Sequence, residues 1–569
     1  MNCLIIGGYG TFGQNIAKLL AGEAGLICII AGRNIAKAQM TCTELSSGGG
    51  GAIFEPLRLD RTQPLAPQIE NTPNIIIDAT GPFQAFRGAA AKIVIEYALD
   101  HKCHYLDLSD DTEFIRIIET FNIAAIEAGI IALSGLSSYP ALTAAVLDML
   151  KKQVPKPIKL STSIAPSPQA RLGQNVLAAI LSAAGRKLIY ARKGGEVMQT
   201  YGLLGAARRV IAPPLEKPLK ALIFAQVDSP EAVLLDAPSL IEIKNYAGPQ
   251  PVWMMRLLIF FSYLARFKLF PPLRIFTKIF HRLHTILTFG EHRSGYFVHI
   301  ENETQQADFH LTADGDDGPL IPSMPAAIIV KNLLSGQPMS AGARSGAGAV
   351  TFQDYDRIFS QLNIEHGSYI SRINEAASLP VYKQFLKNAF NDLPAEIQSL
   401  HDIDTEKIFE GRADIIRGKN PLGAIICFMF GFPKAGRNIK AQIRRVPLGD
   451  NLELWERRFN GRKMRSTQAA GRGKHTHMII EKFGPLAVQF AYYKRGDKYY
   501  VDTQGWKLFG LPMPKFLCPG GQVYEQGKNG KFHFHVELCV PFIGMVVKYI
   551  GWFDPKPRIK TECDQKNLS

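Results

Sequence analysis

The N-terminal stretch NCLIIGGYGTFG, residues 2–13, decides the fold. Its apolar run, residues 2–6, is typical of a buried strand, and apolar residues recur at helical spacing over residues 14–20. In such a strand–turn–helix unit, glycines allow a tight turn, backbone approach to a pyrophosphate and close helix–strand packing. The helix N-terminus attracts phosphate. We therefore predict a dinucleotide site, rather than a merely structural glycine turn, that comprises Gly8, Tyr9, Gly10, Thr11, Phe12 and Gly13.

The second apolar run, residues 26–31, indicates which dinucleotide binds. An NAD site places Asp or Glu about 20 residues after the glycine motif, to hold the ribose 2′-hydroxyl. Here the run ends in Gly32, Arg33 and Asn34, with no acidic residue. The Arg33 guanidinium can pair with a 2′-phosphate, and Lys37 adds charge from the next helical turn. We therefore expect NADP(H), with Asn34 in the same loop; the alternative is a solvated Arg33.

An acidic candidate follows the third apolar run. Asp60 comes directly after residues 53–59. It is either an adenine-side contact of the cofactor or a cap of the following turn.

The chain changes character twice along its length. Apolar runs up to residue 108 alternate with amphipathic stretches, which predicts a parallel sheet with helical crossovers. Residues 136–375 mix helical and strand-like segments. Residues 376–569 contain three hairpin patterns, with turns at 460–461, 494–497 and 529–530. The last region therefore predicts an antiparallel β domain, as a strongly curved sheet or partial barrel.

Length and composition exclude several protein classes. At about 150 residues per domain, 569 residues suggest three to four domains. A hydrophobic fraction of 46% with 20% charged residues excludes a disordered chain. The 8 cysteines form no C-x-x-C pair, which argues against a disulfide scaffold or a zinc ribbon. The N-terminus has no basic, signal-like region, so we expect a cytoplasmic protein.

The formal net charge of +15 is concentrated in two segments. Residues 401–569 hold 29 Lys and Arg against 16 Asp and Glu, residues 251–290 hold six basic residues and no acidic one, and the remainder sums to −4. Segment 252–289 interleaves these cations with aromatic and aliphatic residues, and its apolar run is shorter than the roughly 20 residues of a membrane span. It predicts either an interfacial helix on an anionic membrane surface or a buried helical pair with snorkelling basic ends.

Three further motifs carry a resemblance to a known family. They are Asp78-Ala79-Thr80-Gly81-Pro82-Phe83, Tyr105-Leu106-Asp107-Leu108-Ser109-Asp110 and Ser134-Gly135-Leu136-Ser137-Ser138-Tyr139-Pro140. With the glycine turn and Ala31-Gly32-Arg33, they make residues 1–140 resemble the saccharopine dehydrogenase NADP-binding family. Residues 141–375, with Gly315-Asp316-Asp317-Gly318-Pro319, resemble the rest of the saccharopine dehydrogenase-like oxidoreductases. Residues 376–569, with Trp455–Phe459, Glu481–Leu486 and Gly551-Trp552, resemble an uncharacterised domain fused behind such proteins.

The resemblance implies the architecture and part of the site. It implies an α/β Rossmann domain over residues 1–140, an α+β substrate domain with a mixed sheet over 141–375, and a mainly antiparallel β domain over 376–569. Thr80, Gly81 and Pro82 would line the nicotinamide side of the cofactor, and Ser137 and Ser138 would lie near the substrate cleft. The family includes enzymes of lysine metabolism, membrane-associated proteins and trans-acting enoyl reductases, so the substrate stays unassigned.

Candidate proton donors lie near predicted strand ends, where open α/β sheets bind ligands. They are Asp107, Tyr105 and Tyr139. Each also has a structural interpretation, such as Asp107 as a helix cap or Tyr139 packing before Pro140.

Histidine pairs are the candidate metal ligands. His475 with His477, and His533 with His535, would each share a strand face. We interpret them as ordinary strand histidines and predict no metal site.

Three hypotheses about function follow. The leading one is an NADP(H)-dependent oxidoreductase with a small-molecule or lipid-like substrate. The second is a trans-acting reductase of an enoyl or other lipid intermediate at a membrane surface, and the third a non-catalytic lipid-binding scaffold with a relic Rossmann domain. A homodimer is the candidate assembly. We expect no nucleic-acid partner, because the basic β domain contains no recognition module.

Overall fold

The computed structural model divides into two compact units. The first comprises Met1–Ala207, Ile223–Asn302 and Thr312–Glu365, and the second comprises Arg208–Leu222, Glu303–Leu311 and His366–Ser569. The structure describes residues 1–169, 181, 184–191, 197–219, 222–227, 235, 238–248, 250–279, 282, 290–373, 379–449, 451–472 and 475–558. The first unit holds most of the predicted Rossmann and substrate domains together, and the domain limits at residues 140 and 375 stay predictions.

The described strands are, in chain order, β1 (Asn2–Ile6), β2 (Ile27–Gly32), β3 (Ile53–Arg58), β4 (Ile75–Asp78), β5 (His104–Asp107), β6 (Ile131–Ser134), β7 (Lys159–Ala165), β8 (Lys187–Ala191), β9 (Val197–Tyr201), β10 (Ala207–Arg209), β11 (Leu222–Gln226), β12 (Glu242–Ala247), β13 (Arg293–Glu301), β14 (Gln305–Asp314), β15 (Gly342–Ser345), β16 (Ile364–Arg372), β17 (Lys407–Arg417), β18 (Gly436–Gly449), β19 (Leu452–Phe459), β20 (Arg462–Ala470), β21 (Ile479–Phe483), β22 (Leu486–Arg495), β23 (Lys498–Leu508), β24 (Leu511–Pro512), β25 (Val523–Lys528), β26 (Lys531–Val540) and β27 (Gly544–Phe553). The described α-helices are α1 (Thr11–Leu20), α2 (Ile35–Ser47), α3 (Ala89–Asp100), α4 (Thr112–Glu119), α5 (Asn122–Ala128), α6 (Thr143–Lys151), α7 (Val252–Arg266), α8 (Met324–Leu334), α9 (Phe352–Phe359), α10 (Val381–Leu386), α11 (Ala395–His401) and α12 (Pro421–Met429).

The N-terminal half of the first unit is a Rossmann sheet. Its strands follow the order β15-β6-β5-β4-β1-β2-β3, and neighbouring strands pair in parallel throughout. The strand order reverses between β1 and β4, the point where open α/β sheets bind ligands. Buried side chains on both faces of β1, such as Leu4 and Ile5, explain its continuous apolar run. The predicted parallel sheet is confirmed.

A mixed sheet completes the first unit. Within it, β12 pairs parallel to β7, while β13 pairs antiparallel to β7 and β11 antiparallel to β12. The chain passes between the two units five times, within β10, β11, β14 and β16 and in the connection between β13 and β14. The mixed sheet that the resemblance implied is confirmed.

Helix α7 begins the basic apolar segment 252–289. One of its faces is buried, with Met255, Leu258 and Ser262 inward, whereas Trp253 and Phe260 are exposed. Among the described residues, no helix combines the length and the hydropathy needed to cross a membrane. Residues 280–281 and 283–289 of the segment lie outside the described residues. Helix α7 thus packs one face in a core and exposes the other, and both alternatives stay predictions.

The second unit contains a closed antiparallel barrel. Its ring follows the order β22-β21-β20-β19-β18-β17-β27-β26-β25-β23, and β23 pairs back onto β22; β24 extends β23. The predicted hairpins are confirmed as β19–β20, β22–β23 and β25–β26. Asn460 and Gly461 both have positive φ, 47° and 83°, as a type I′ turn requires. The curved antiparallel sheet closes fully where the sequence suggested a partial barrel.

Buried polar groups mark the barrel interior. The fully buried Arg445 pairs with Glu453, and its guanidinium carbon lies 3.8 Å from the Trp455 ring centroid. Arg445 also lies 2.8 Å from Nδ1 of His401 on α11, whose Nε2 is 2.8 Å from a Glu525 carboxylate oxygen. The buried Arg445 therefore has a partner of opposite sign, and the Glu525 carboxylate accepts hydrogen bonds from His401 and from the Tyr492 hydroxyl.

Candidate functional site

The glycine turn between β1 and α1 is held by backbone hydrogen bonds. The N–H groups of Gly7 and Gly8 donate to the Ala31 carbonyl at 2.9 and 3.1 Å, and the N–H of Gly10 donates to the Gly7 carbonyl at 2.8 Å. Gly7 has φ +78°, a left-handed conformation that favours glycine. Gly7, which directly precedes the motif glycine Gly8, is thus the residue of the turn that requires glycine's freedom.

Gly13 allows α1 to approach this turn closely. A Cβ at Gly13 would lie 2.6 Å from Gly8 Cα and closer still to the Gly7 carbonyl oxygen. The close packing predicted for Gly13 is confirmed. Gly10 is the N-cap of α1 and provides no side-chain hydrogen bond, so the first-turn amides are directed at a cradle that any side chain at Gly13 would distort. Such a cradle fits a dinucleotide pyrophosphate.

Tyr9 covers the end of β2. A Cβ on Gly32 would lie 2.7 Å from Tyr9 Cζ, and the Asn34 N–H donates to the Tyr9 hydroxyl at 3.1 Å. Oδ1 of Asn34 accepts the Lys37 N–H at 3.1 Å, so Asn34 caps α2. Arg33 and Lys37 are both exposed, at the position where a ribose 2′-phosphate is recognised in such folds.

Asp60 forms a local turn with Thr62. One carboxylate oxygen accepts the Thr62 N–H at 3.0 Å and the Thr62 hydroxyl at 2.7 Å. These hydrogen bonds lower the pKa of Asp60, with a smaller contribution from the positive charge of Arg33. The structure thus shows the capping interaction for Asp60, and its adenine contact stays a prediction.

A buried ion pair fixes the loop after β4. Oδ2 of Asp78 is 2.7 Å from Nε of Arg61, and both side chains are buried. Oδ1 of Asp78 accepts the Thr80 N–H at 3.1 Å and the Thr80 hydroxyl at 2.5 Å. A Cβ at Gly7 would lie 3.2 Å from Thr80 Cγ2, so this loop and the glycine turn adjoin. Sequence reasoning placed Thr80, Gly81 and Pro82 together but missed Arg61, which holds the loop.

Asp107 and Tyr105 form a buried network at the end of β5. Both side chains have no exposed surface, and the Tyr105 hydroxyl donates to Asp107 at 2.9 Å. The other Asp107 oxygen accepts the N–H groups of Ser109 at 2.8 Å and Gly135 at 2.9 Å. Burial raises the pKa of Asp107 to about 6. These bonds join the loops after β5 and β6, and catalytic roles for the two residues stay predictions.

Tyr139 lies at the half-exposed end of the loop after β6, beside Ser137 and Ser138. Its hydroxyl is 3.1 Å from Oγ1 of Thr162, which lies 2.6 Å from Oδ1 of Asn245. Because the Thr162 hydroxyl has one proton, it donates either to Asn245 or to the Tyr139 hydroxyl, and Tyr139 donates to Thr162 only in the first case. The chain of bonds connects the Rossmann loop to strands β7 and β12 of the mixed sheet.

Two polar contacts hold α1 from its other side. Nδ2 of Asn15 donates to the Pro319 carbonyl at 2.8 Å, and the Ser323 hydroxyl donates to the Phe12 carbonyl at 3.2 Å. Asn15 is buried in the middle of an otherwise apolar helix face. A polar residue on an otherwise apolar helix face is the sequence signal from which these contacts of α1 could have been predicted.

A histidine cluster lies in the second unit. Ligand atoms of Asp308, His310 and His477 lie within 4.8 Å of one another. Nζ of Lys387 is 3.1 Å from the Asp308 carboxylate, and Nδ1 of His310 accepts the Ala212 N–H at 3.1 Å, which places the His310 proton on Nε2. Burial lowers the pKa of His477 to about 4. We interpret the cluster as a neutral histidine pair beside an ion pair.

The histidine pairs differ in their surroundings. The strand placement of His475 and His477 is wrong, because both lie in the connection between β20 and β21. His533 and His535 do lie on β26, and the His535 ring stacks on Tyr524. A packed ring is the ordinary role that we expected for such a strand histidine.

Comparison with protein families assigns both ends of the chain. Residues 3–151 match the saccharopine dehydrogenase NADP binding domain. The chain carries that domain. Residues 393–553 match a family described as a domain of unknown function (DUF4166), which covers most of the barrel. No curated protein matches the chain significantly.

Solved structures resemble part of the chain at low identity. Saccharopine dehydrogenase (L-Glu forming) from Saccharomyces cerevisiae is 13% identical, with 65% of this chain and 99% of that chain covered at a TM-score of 0.45. Biliverdin reductase from Synechocystis, in complex with biliverdin and NADP+, is 12% identical, with coverages of 59% and 92% and a TM-score of 0.29. The Rossmann fold of the NADP-binding domain is assigned from its strand order and register.

Gly13→Ala tests the cradle of the NADP-binding domain. The new methyl group would meet the Gly7–Gly8 backbone, which cannot move without breaking its bonds to Ala31. We expect a loss of about 1–3 kcal/mol in the free energy of unfolding and a rise of about tenfold or more in the Kd for NADPH. Gly22→Ala is the matched control, because a Cβ added at Gly22 has nothing within 4 Å. Equal behaviour of the two variants in urea unfolding and NADPH titration would contradict the assignment.

Asp107→Asn tests the buried carboxyl. The pKa of Asp107 is about 6 in the folded state and about 4 in the unfolded state. Between these two pH values the native state therefore binds more protons than the unfolded state. The stability of the natural protein relative to the variant is therefore greatest below the unfolded pKa of about 4, and falls by about 2–3 kcal/mol as the pH rises through 6. Urea unfolding over this range measures the difference. Asp110→Asn, an exposed control, should give no such slope, and parallel curves for Asp107→Asn would refute the buried ionisation.

Proposed function

We propose that the chain is an NADP(H)-dependent oxidoreductase of the saccharopine dehydrogenase-like class, with its substrate held by the first unit. The observation that carries the proposal is the glycine cradle at the uncapped N-terminus of α1, beside an exposed Arg33 and with no acidic residue at the end of β2. NADP(H), when bound, supplies or accepts the hydride. The chain's own residues bind it, orient it and position a proton.

Cofactor selection rests on two cations. The amides of the glycine turn would bind the pyrophosphate, while Arg33 and Lys37 would bind the 2′-phosphate. Asp60 adjoins Arg33, yet its carboxylate is engaged by Thr62. The Asp60 carboxylate is therefore already hydrogen-bonded where a phosphate would approach Arg33.

The substrate would lie at the carboxyl ends of β4 and β6. The loops Thr80–Pro82 and Ser137–Tyr139 are both half-exposed there, which suits a nicotinamide on one side and a substrate on the other. Among the three proton-donor candidates, we favour Tyr139. Its side chain has exposed surface, whereas Asp107 and Tyr105 have none. When Thr162 donates to the Tyr139 hydroxyl, this bond positions the tyrosine oxygen and does not use the tyrosine proton.

A second candidate is reduction of a lipid intermediate at an anionic membrane surface, favoured by α7. The exposed residues Trp253, Leu257, Phe260 and Tyr263 recur every three or four residues and form one helix face. Residues 251–290 carry six cations and no acid. An apolar face with basic flanks is the pattern of an interfacial helix. Vesicle binding without turnover on any carbonyl, imine or enoyl compound would instead favour the non-catalytic scaffold.

Arg33→Ala tests cofactor choice. Loss of one charge-assisted pair should raise the Kd for NADPH by about 10- to 100-fold and leave the Kd for NADH nearly unchanged. Fluorescence titration measures both constants. Arg116→Ala removes another exposed arginine of the first unit and should change neither. If the unaltered chain binds no NADPH, or if Arg33→Ala weakens both nucleotides equally, the proposal fails.

Tyr139→Phe tests the proton donor. With a substrate found by NADPH oxidation on a panel of saccharopine, imines, carbonyls and enoyl esters, kcat should fall by about 100-fold or more. The Kd for NADPH should not change, because the hydroxyl bonds to Thr162. Thr143→Val is the matched control: its hydroxyl bonds to Tyr296 at 2.5 Å in the same region. A kcat for Tyr139→Phe within a few-fold of that control would remove Tyr139 from the mechanism.

A further inference from the structure

Five strand connections gather at one end of the barrel. Strand registers place the end of β17 beside the start of β27, the end of β19 beside the start of β18, and the start of β22 beside the end of β23. This end, which we call the α12 end, therefore comprises the connections β17–α12–β18, β19–β20, β21–β22, β23–β24 and β26–β27.

Large apolar side chains project from the α12 end into solvent. Phe542, in the β26–β27 turn, is 90% exposed, and Phe509, after β23, is 79% exposed. Helix α12 buries only Gly423 and Cys427 of its nine residues, PLGAIICFM. Other large apolar side chains exposed at this end include Leu422, Ile425, Phe428, Met429, Leu511 and Phe516. These side chains do not contribute to the barrel core, because they point away from it into solvent.

The same connections are cationic and contain no acid. Segments 415–440, 459–466, 482–487, 505–523 and 538–548 together hold twelve Lys and Arg and no Asp or Glu. Asp414, which adjoins one segment, accepts the Asn438 N–H at 2.6 Å. Three of the twelve cations form ion pairs: Lys548 with Glu537 at 3.1 Å, and Lys463 and Arg465 with Glu456 at 3.0 and 2.8 Å. The other nine take no part in these pairs. The connections at the opposite end mix the two signs, with Asp402, Asp404, Glu406 and Asp497 beside Lys407, Lys494, Arg495, Lys498, Lys528 and Lys531. The absence of acidic residues from its connections therefore distinguishes the α12 end.

We propose that the α12 end of the barrel docks on an anionic phospholipid surface. Helix α12 and the turn phenylalanines enter the boundary between headgroups and acyl chains, and the surrounding Lys and Arg residues contact the headgroup phosphates and carboxylates. A second copy of this surface does not fit, because both copies would be cationic. Nucleic acid does not explain the exposed Leu, Ile and Met side chains, because such side chains are stabilised by leaving water and do not stack on bases.

Lipid docking does not depend on the proposed oxidoreductase activity. The α12 end belongs to the second unit, whereas the glycine cradle and α7 belong to the first. Membrane contact at the α12 end and NADPH binding are therefore measured by separate signals in the full chain.

Site-specific quenching locates the contact. We compare Phe542→Trp with Leu448→Trp, an exposed position at the opposite end of the barrel, and subtract the fluorescence of the native tryptophans. The full chain is mixed with vesicles of phosphatidylcholine and phosphatidylserine that contain brominated acyl chains. We expect a blue shift and quenching for the tryptophan at 542 and neither for the one at 448. Vesicle binding with no quenching at 542, or equal quenching at both positions, would overturn the proposal.

Vesicle co-sedimentation tests the two components of the surface. The double variant Phe428→Ser with Phe542→Ser should weaken partitioning by about tenfold or more, since it removes two exposed aromatic rings that would leave water on docking. Leu448→Ser should partition as the natural chain does. Pure phosphatidylcholine vesicles and high salt should both reduce binding, because the charge contribution is screened or absent. Equal binding to neutral and anionic vesicles, or capture of an acidic protein with no vesicle binding, would contradict a lipid partner. An unchanged Kd for NADPH in the double variant shows that the NADP-binding domain is intact.

Discussion

The approach of α1 to the glycine turn is the constraint on which the first unit depends. Because a Cβ at Gly13 would meet Gly8 Cα at 2.6 Å, the helix can start this close to β1 only without a side chain there. That closeness aims the first-turn amides at the cradle and leaves Gly7 beside Thr80, at the strand-order reversal. Asn15 and Ser323 hold the helix from behind. One packing distance therefore sets both the phosphate site and the position of the neighbouring loop.

Local signals made much of the fold predictable. The strand–turn–helix of residues 2–20 and the Asn460–Gly461 hairpin are specified by residues that lie next to one another in the chain. Strand β15, Gly-Ala-Arg-Ser, has no apolar pattern, and it joins the sheet only because β6 offers a free edge to it. Barrel closure through the β22–β23 and β23–β25 pairings likewise follows from tertiary register. Sequence periodicity reports which face of an element is buried and carries no information on which strands meet.

The candidate site shows the same division. Asp107 and Tyr139 both follow strands at the expected edge of the sheet, and nothing in the sequence favours one over the other. Burial separates them: Asp107 accepts two backbone N–H groups and has no exposed surface, while Tyr139 is half-exposed and bonds to Thr162, 23 residues away. Arg61 was missed for a similar reason, since its partner Asp78 lies on the next strand. Polar residues that stabilise a loop and polar residues that act on a substrate are of the same residue types. Exposure distinguishes them, and the sequence alone does not report it.

Part of the net charge of +15 lies beside exposed apolar side chains at the α12 end of the barrel. Exposed phenylalanines such as Phe542 and Phe428 favour self-association, and the cations around them oppose it through like-charge repulsion. The same cations draw the surface to any anionic boundary, where the repulsion is neutralised and the aromatic rings leave water. Removal of the cations would therefore leave a self-associating surface, whereas removal of the rings would leave a weakly binding one. Charge and apolar exposure thus act together, and neither alone explains why this end of the barrel tolerates so much exposed hydrocarbon.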